Sequence, residues 1–381
     1  MPEMLRTRLE EVVLQIKILE LGRASSFLSR VLEPPSDRST ELALKLLVDI
    51  HALDGEEQLT PLGFHLAQLP MDPQTGKMIL LAAVFGCLDP VLSVAASLSF
   101  KDAFVTPLGK EALVDEKKRE LSRGTRSDHL MLANAILDWE DASSAGQSRQ
   151  FCWEFFLSES TLKMLDNMKR QFAEHLCNLK FLSSSRVRDK SANVNSGNED
   201  LVRAVICGGL YPNVASVRVK RNKHRGGFPV MQTIQERKVE PHPKSVNAKE
   251  VGFVHPWVVY HLKMRSTGVY LYDSSEVSPM SLIFFGRDFK IGQEVLGDGT
   301  VLETITVDDF VKFNCESRTS VVFKELRGAL DELLEFKVSN PGVTNWDTTR
   351  REGAILDAII NLLSCHSVGS SVDHLEDDGG F

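Results

Sequence analysis

The chain lacks most of the features that would tie it to secretion, metal or a membrane. Its six cysteines, Cys87, Cys152, Cys177, Cys207, Cys315 and Cys365, form no C-x-x-C pair and have no histidine cluster beside them. That excludes a zinc motif and predicts reduced, buried thiols in a cytoplasmic or nuclear protein. No apolar run follows a basic start, so no signal peptide is read, and no N-x-S/T acceptor occurs. The longest apolar stretch, residues 79–100, is interrupted by Asp89-Pro90. The two pieces, about ten residues each, are too short to cross a bilayer, so two buried helices and no membrane partner are expected. Also missing is G-x-x-x-x-G-K-[ST]: Gly76-Lys77 is followed by Met78, and Gly109-Lys110 by Glu111. There is no D-E-x-H either; Asp115-Glu116 precede Lys117-Lys118 on a charged segment read as solvated surface. Without such a loop, backbone N–H groups cannot cradle a nucleotide's phosphates. No nucleophile–base or paired-carboxylate arrangement suggests another catalytic class. No internal repeat is found.

What is present is an ordinary globular composition with an uneven charge. The 381 residues are 43% hydrophobic and 25% charged, with a net charge of −8. This is enough chain for two to four compact units. Residues 201–265 hold twelve Lys/Arg against three Asp/Glu. A basic segment within an acidic chain predicts a polyanionic partner for that segment.

Apolar spacing predicts an opening helix over 5–21 through Leu9, Val12, Val13, Ile16 and Leu19, and a second over 40–53 through Leu42, Leu46, Leu47 and Ile50. A turn at Asp54-Gly55, a short strand and a Pro-Gly stop then complete the outline of a winged helix, residues 1–70. Residues 71–182 read as a helical bundle, its pieces at 76–86, 90–99, 108–122, 127–140, 151–157 and 160–182, the last capped by Ser160. Residues 183–198 are polar and turn-rich, a linker. A short helix at 199–208 leads into strands at 214–219, 229–234, 257–264, 268–272 and 281–285, a small β-barrel over 199–312. Helices at 319–336 and 350–364 form a C-terminal extension, 313–366. The Gly/Ser/acidic end, 367–381, reads as a disordered tail. The fold class expected is multidomain α+β.

Several segments in this order resemble one family. They are LRTRLEEVVLQIKIL near the start, the run from LTPLGFHLAQLPMDPQTGKM to SLSFKDAF, TRSDHLMLANAILDWE, NMKRQFAEHL, AVICGGLYPNVA, HPKSVN and YHLKMRSTGVYLYDSSEVSP. The chain resembles the region C-terminal to the motor of DEAH/RHA-type RNA helicases: winged helix, all-α ratchet (HA2) bundle, then an OB-like barrel. One departure is Arg8, where the family usually has Pro. The wording is nearest the subgroup of G-quadruplex-resolving helicases associated with AU-rich elements. The resemblance implies an accessory region that guides single-stranded RNA or DNA, including G-quadruplex substrates, for RecA-like motor domains lying upstream of Met1. The chain then looks like a fragment or shortened gene product. ATP and Mg²⁺ belong to the intact 3′–5′ helicase, and this chain alone would hold no cofactor. The alternative is a stand-alone adaptor with residual RNA binding.

Candidate nucleic-acid contacts follow from charge and from that resemblance. VRVKRNKHR, 217–225, supplies Lys220, Arg221, Lys223 and Arg225 as a loop gripping phosphates; the bland alternative is a solvated hairpin. The resemblance implies that the HPKS face meets RNA, through His242, Lys244 and Ser245, though His242 fits a packed strand position equally well. Lys263, Arg265 and Thr267 form the next cluster, the two cations on one face by alternation. Tyr260, Tyr270 and Tyr272 read as core or flank rather than stacking platforms. In the ratchet, Arg126, Lys169 and Arg170 are candidates to line the strand's path, with Lys169 and Arg170 on the polar side of their helix. Ser127 or Asp128 reads as the cap of its helix, with Asp128 favouring the dipole.

Overall fold

The computed structural model describes residues 8–222, 226–295, 301–315 and 317–364. The opening unit has α1 (Leu9–Ile18), α2 (Ala24–Leu28), α3 (Asp37–Asp49) and α4 (Pro61–Ala67). Residues 1–7 lie outside the described residues; within them, α1 ends at Ile18 and leaves Leu19 63% exposed. The expected strand is only a single bridge, Leu53 to Leu59. The expected Pro-Gly stop is a helix start: Thr60 caps α4 by accepting from the Gly63 amide, and Pro61 takes the first turn, where its missing N–H costs nothing. Leu42 of α3, expected on the apolar side, is 59% exposed, whereas Leu47 and Ile50 are fully buried.

The bundle comprises α5 (Pro73–Phe85), α6 (Leu88–Ser99), α7 (Glu111–Ser122), α8 (Asp128–Ser144), α9 (Ser148–Glu154) and α10 (Glu159–Asn178). Helix α5 is buried along nearly its whole length. The expected pair of buried helices is present, but the break falls at Gly86, whose left-handed φ of 65° ends α5. Asp89 and Pro90 instead occupy the first turn of α6, where proline is tolerated. Ser158, not Ser160, caps α10, accepting from the Thr161 amide. Residues 183–198 form a loop closed onto the bundle. Asn193 Oδ1 accepts from the Asp89 amide at 2.8 Å, and Asn195 Nδ2 donates to the Phe85 carbonyl at 2.9 Å.

Helix α11 (Glu199–Leu210) crosses α5 closely. A Cβ on Gly209 would sit 2.4 Å from Met78 Cβ, so the GG of AVICGGL sets the approach of the two helices. Next come β1 (Val214–Asn222), β2 (Gly226–Gln232), β3 (Glu240–Pro241), β4 (Trp257–Arg265) and β5 (Val269–Glu276). They form a sheet in the order β2-β1-β4-β5-β3. A Met231–Val239 bridge links β2 to the chain entering β3, so the sheet nearly closes into a barrel. It encloses Val217, Met231, Val258, Tyr260 and Leu271.

The expected strand at 281–285 is a buried helix, α12 (Pro279–Phe285), capped by Ser278. Its short apolar run fits either state by pattern, and the Ser-Pro cap decides for helix. A second sheet, not anticipated, follows: β6 (Phe289–Val295), β7 (Val301–Val307) and β8 (Val311–Cys315), consecutive and antiparallel. Helices α13 (Ser317–Ser339) and α14 (Arg351–Ser364) close the described chain. They return to the start: His65 Nε2 meets the Val338 carbonyl at 2.7 Å, and Thr344 Oγ1 donates to the Val84 carbonyl at 2.9 Å. One continuous core runs from α1 to α14. The expected tail, 367–381, lies outside the described residues.

Candidate nucleic-acid interface

Three signature segments far apart in sequence converge on one seam between bundle and barrel. Ser127 caps α8 by accepting from the Leu130 amide, and its hydroxyl also meets Ser275 Oγ at 2.6 Å. The neighbouring His129 brings Nδ1 to the same Ser275 Oγ at 2.6 Å. Asp128 turns into the barrel. Its carboxylate accepts from Ser245 Oγ at 2.5 Å, the Val246 amide at 2.8 Å and the Ser274 amide at 2.9 Å. Arg126, at φ 49°, accepts from the Glu276 amide at 3.0 Å through its carbonyl. SDHL, HPKSVN and DSSE are thus the two halves of a clasp. Ser127 alone is the cap; the Asp128 carboxylate, which the sequence also offered for that role, is 2% exposed and is spent on the barrel.

The clasp has unusual electrostatics. Burial pushes the Asp128 carboxyl above the ordinary range, while the Ser245 hydroxyl and two backbone amides pull it back. Burial drives His129 down to about 3. Burial, together with Asp128 and Asp102, raises Asp273 to about 7, against the opposing charge of Lys118.

The candidate cations divide into groups. Lys169, expected on the polar side of α10, is 1% exposed; its Nζ lies 2.7 Å from Asp89 and 2.6 Å from Glu140. Arg188 completes that network, 2.8 Å from Glu140. Lys169 is therefore a correction: a lysine at helical spacing with Leu162, Leu165 and Phe172 points inward, and two carboxylates meet it. Arg126 is held between Glu250 and Glu276, at 3.7 and 3.6 Å. Ser245 spends its hydroxyl on Asp128, so its place is in the clasp. Arg170 is exposed and, among the described residues, reaches only Asp166, at 2.6 Å.

On the barrel, Lys263 and Arg265 share a face as expected, being paired across the ladder with Leu271 and Val269. Arg265 meets Glu236 at 2.7 Å, and Lys263 donates to Gln235. Thr267 Oγ1 lies 3.4 Å from Tyr270 Oη. Lys220 and Arg221 stand in β1, but their side chains, and all of Lys223 and Arg225, lie outside the described residues.

His242 follows β3 directly. Its ring stacks on Tyr272 at 4.1 Å between centroids and 24° between planes, with the Tyr270 ring edge-on. Lys244 is exposed at the head of the clasp loop and lines a small cleft against α7 with Lys118, Arg119 and Lys249. The sequence reading missed that cleft. It took Lys117-Lys118 for solvated surface, yet Lys118 is only 6% exposed, its Nζ 4.7 Å from the Phe104 ring centre. The signal was available: Lys118 falls in helical step with Val114 and Leu121, both buried.

Gly76-Lys77 forms no phosphate-cradling loop. It lies inside α5, and burial with the charge of Arg327 pushes the Lys77 ammonium down to about 8. Among the described residues, no group of three His, Cys, Asp or Glu could hold a metal ion, and no helix is long and apolar enough to cross a membrane.

The units described match known families in the same order. The helicase-associated (HA2) winged helix matches residues 43–71, and the ratchet-like HA2 domain residues 72–132. The oligonucleotide/oligosaccharide-binding (OB) fold matches 202–289, and the C-terminal domain in RNA helicases 303–365. The chain belongs to the DEAH/RHA helicase family as a C-terminal accessory region, and it carries no RecA motif. Within that family it is 50% identical over 366 residues to the human "ATP-dependent DNA/RNA helicase DHX36", covering 95% of this chain and 36% of that protein. It is 37% identical to the Arabidopsis thaliana "DExH-box ATP-dependent RNA helicase DExH1", over 95% of this chain and 35% of that one. It is 34% identical to the human "Putative ATP-dependent RNA helicase DHX57", over 96% and 28% respectively. The chain thus spans about a third of the length of these relatives.

Proposed function

We propose that this chain is the strand-holding part of an ATP-dependent helicase. It binds single-stranded RNA or DNA across the barrel and its seam with the bundle. Supporting this most directly is the excess of nine positive charges over residues 201–265 in a chain of net charge −8. Lys244 and Lys249 stand exposed at the seam, and among the described residues Lys263 and Arg265 reach only the neutral Gln235 and a single carboxylate, Glu236. The chain supplies grip, while ATP and Mg²⁺ act on RecA-like domains held elsewhere. The winged helix, with Leu19 at 63% and Leu32 at 103% exposure, offers those domains an apolar brace. A G-quadruplex is the structured substrate we infer for the joined enzyme, working in cytoplasm or nucleus.

The test is a titration of the purified chain with a labelled single-stranded RNA from 50 to 300 mM salt. Three to five phosphate contacts give a log–log slope of about −2 to −3.5, from roughly 0.7 per phosphate on a single strand. Absent or salt-insensitive binding overturns the proposal in favour of a protein-docking adaptor.

A further inference from the structure

We propose that the seam holds a subsite for one nucleotide unit of the strand. Its base stacks on the His242–Tyr272 pair, and its phosphate lies across the mouth of the narrow cleft lined by Lys118, Arg119, Lys244 and Lys249. The inference rests on the strand-binding reading above and adds base contact to it.

Two independent observations meet here. The first is the ring stack. His242 lies nearly parallel to Tyr272, and both are half-buried rather than enclosed. Tyr272 and Tyr270 pair across the ladder with Leu262 and Met264, and Met264 is 47% exposed. An apolar and aromatic strip therefore reaches solvent on a basic domain. Burial and the charges of Lys244 and Lys118 lower the His242 pKa, so the ring is a neutral π-face near pH 7. Such a face accepts any base.

The second observation is the cleft. Lys118 is a nearly buried ammonium, and it lies against a phenyl ring. Among the described residues, no carboxylate oxygen lies within 4 Å of the charged nitrogens of Lys118, Arg119, Lys244 or Lys249. Asp115, on the same wall, also makes no ion pair there. The cleft is lined by four cations and one carboxylate, and with Asp128 and Asp273 acting on Lys118 from behind it an excess of positive charge remains for a phosphate to neutralise. His242 and Lys244 are two residues apart, and the Lys244 amide donates to His242 Nδ1 at 3.3 Å. Stack and cleft therefore meet on one short turn of the chain.

The probe is an oligouridine dodecamer, compared with a dodecamer of the same phosphates carrying no bases. At low salt the wild-type chain should prefer the oligouridine about tenfold, the order of one stacked base. His242→Ala should bind both equally. His242→Phe, which keeps a π-face and loses the ring nitrogens, should restore the preference. Lys244→Gln with Lys249→Gln should flatten the salt slope by about 0.7 to 1.4 while leaving the base preference. Thermal melts of each variant, unchanged from wild type, exclude misfolding. Equal binding of both strands by the wild type overturns the subsite and leaves strand binding standing, as would a folded His242→Phe without the preference. Failure to bind either strand overturns both readings.

Discussion

Lys169 separates a structural lysine from a strand-contacting one. Its ammonium is 1% exposed, and its partners Asp89 and Glu140 are 11% and 15% exposed. Arg188 reaches the same two carboxylates from the surface, at 3.4 and 2.8 Å, but is 52% exposed. Lys169→Met fills similar volume and removes the charge. Two half-desolvated carboxylates then face each other with only the solvent-screened Arg188 between them. Breaking a buried pair in this way costs about 3–5 kcal/mol. For a cooperative unit of some 150–250 residues that is a fall in Tm of roughly 6–20 °C. The companion variant Lys169→Met with Asp89→Asn and Glu140→Gln should recover most of the loss, because no uncompensated charge remains. Calorimetry measures both, and the RNA titration runs beside it. The reasoning fails if Lys169→Met melts within 2 °C of wild type, or if it stays folded and loses RNA affinity selectively.

The clasp and its charges give three more predictions. Asp128→Asn places an amide NH₂ against the N–H of Val246 or Ser274 whichever way it turns. A loss of about 2–4 kcal/mol is expected in denaturant melts, with faster hydrogen exchange at those two amides. Asp273 is raised from 3.8 to about 7, so between these values the folded state binds the extra proton. Stability from this group therefore falls as pH rises through that window, by at most about 1.4 kcal/mol per pH unit. Asp273→Asn, which tolerates the φ of 51°, should remove that slope and be the more stable protein at pH 8. His129 has the opposite sign: at about 3, below the unfolded value of 6.5, it leaves the unfolded state binding more protons. Stability falls as pH drops below about 6.5, and His129→Gln should flatten that acid slope in midpoint-against-pH measurements.

Much of the fold was legible because local signals agreed with tertiary demand. Ser127 and Asn198 cap helices that apolar spacing had already outlined. Elements failed where one short run served two states. The run at 281–285 reads as strand until Ser278-Pro279 is taken as a cap; β6 and β7 lack the strict alternation that identifies a half-buried strand, and β8, which does alternate, is only five residues long. The site was harder to read because charge type does not report direction. Lys169 and Lys118 look like surface lysines in composition, yet both fall on the apolar stripe of their helices.

Motif spelling misled in the other direction. SDH, HPKS and DSSE suggest polar groups offered to a ligand, but most of their hydroxyls and carboxylates are used up by one another. What they leave free is Lys244, on the loop whose next two residues hold Asp128. If a strand is held at Lys244 as proposed, its load reaches the first turn of α8 through the Ser245 and Val246 hydrogen bonds to Asp128, with little intervening chain. The clasp joins barrel to bundle through these buried hydrogen bonds. Asp128→Asn should accordingly weaken RNA binding less than it weakens the seam, while Lys244→Gln should do the reverse. Measuring both affinities and both melts distinguishes a residue that grips from one that anchors the grip.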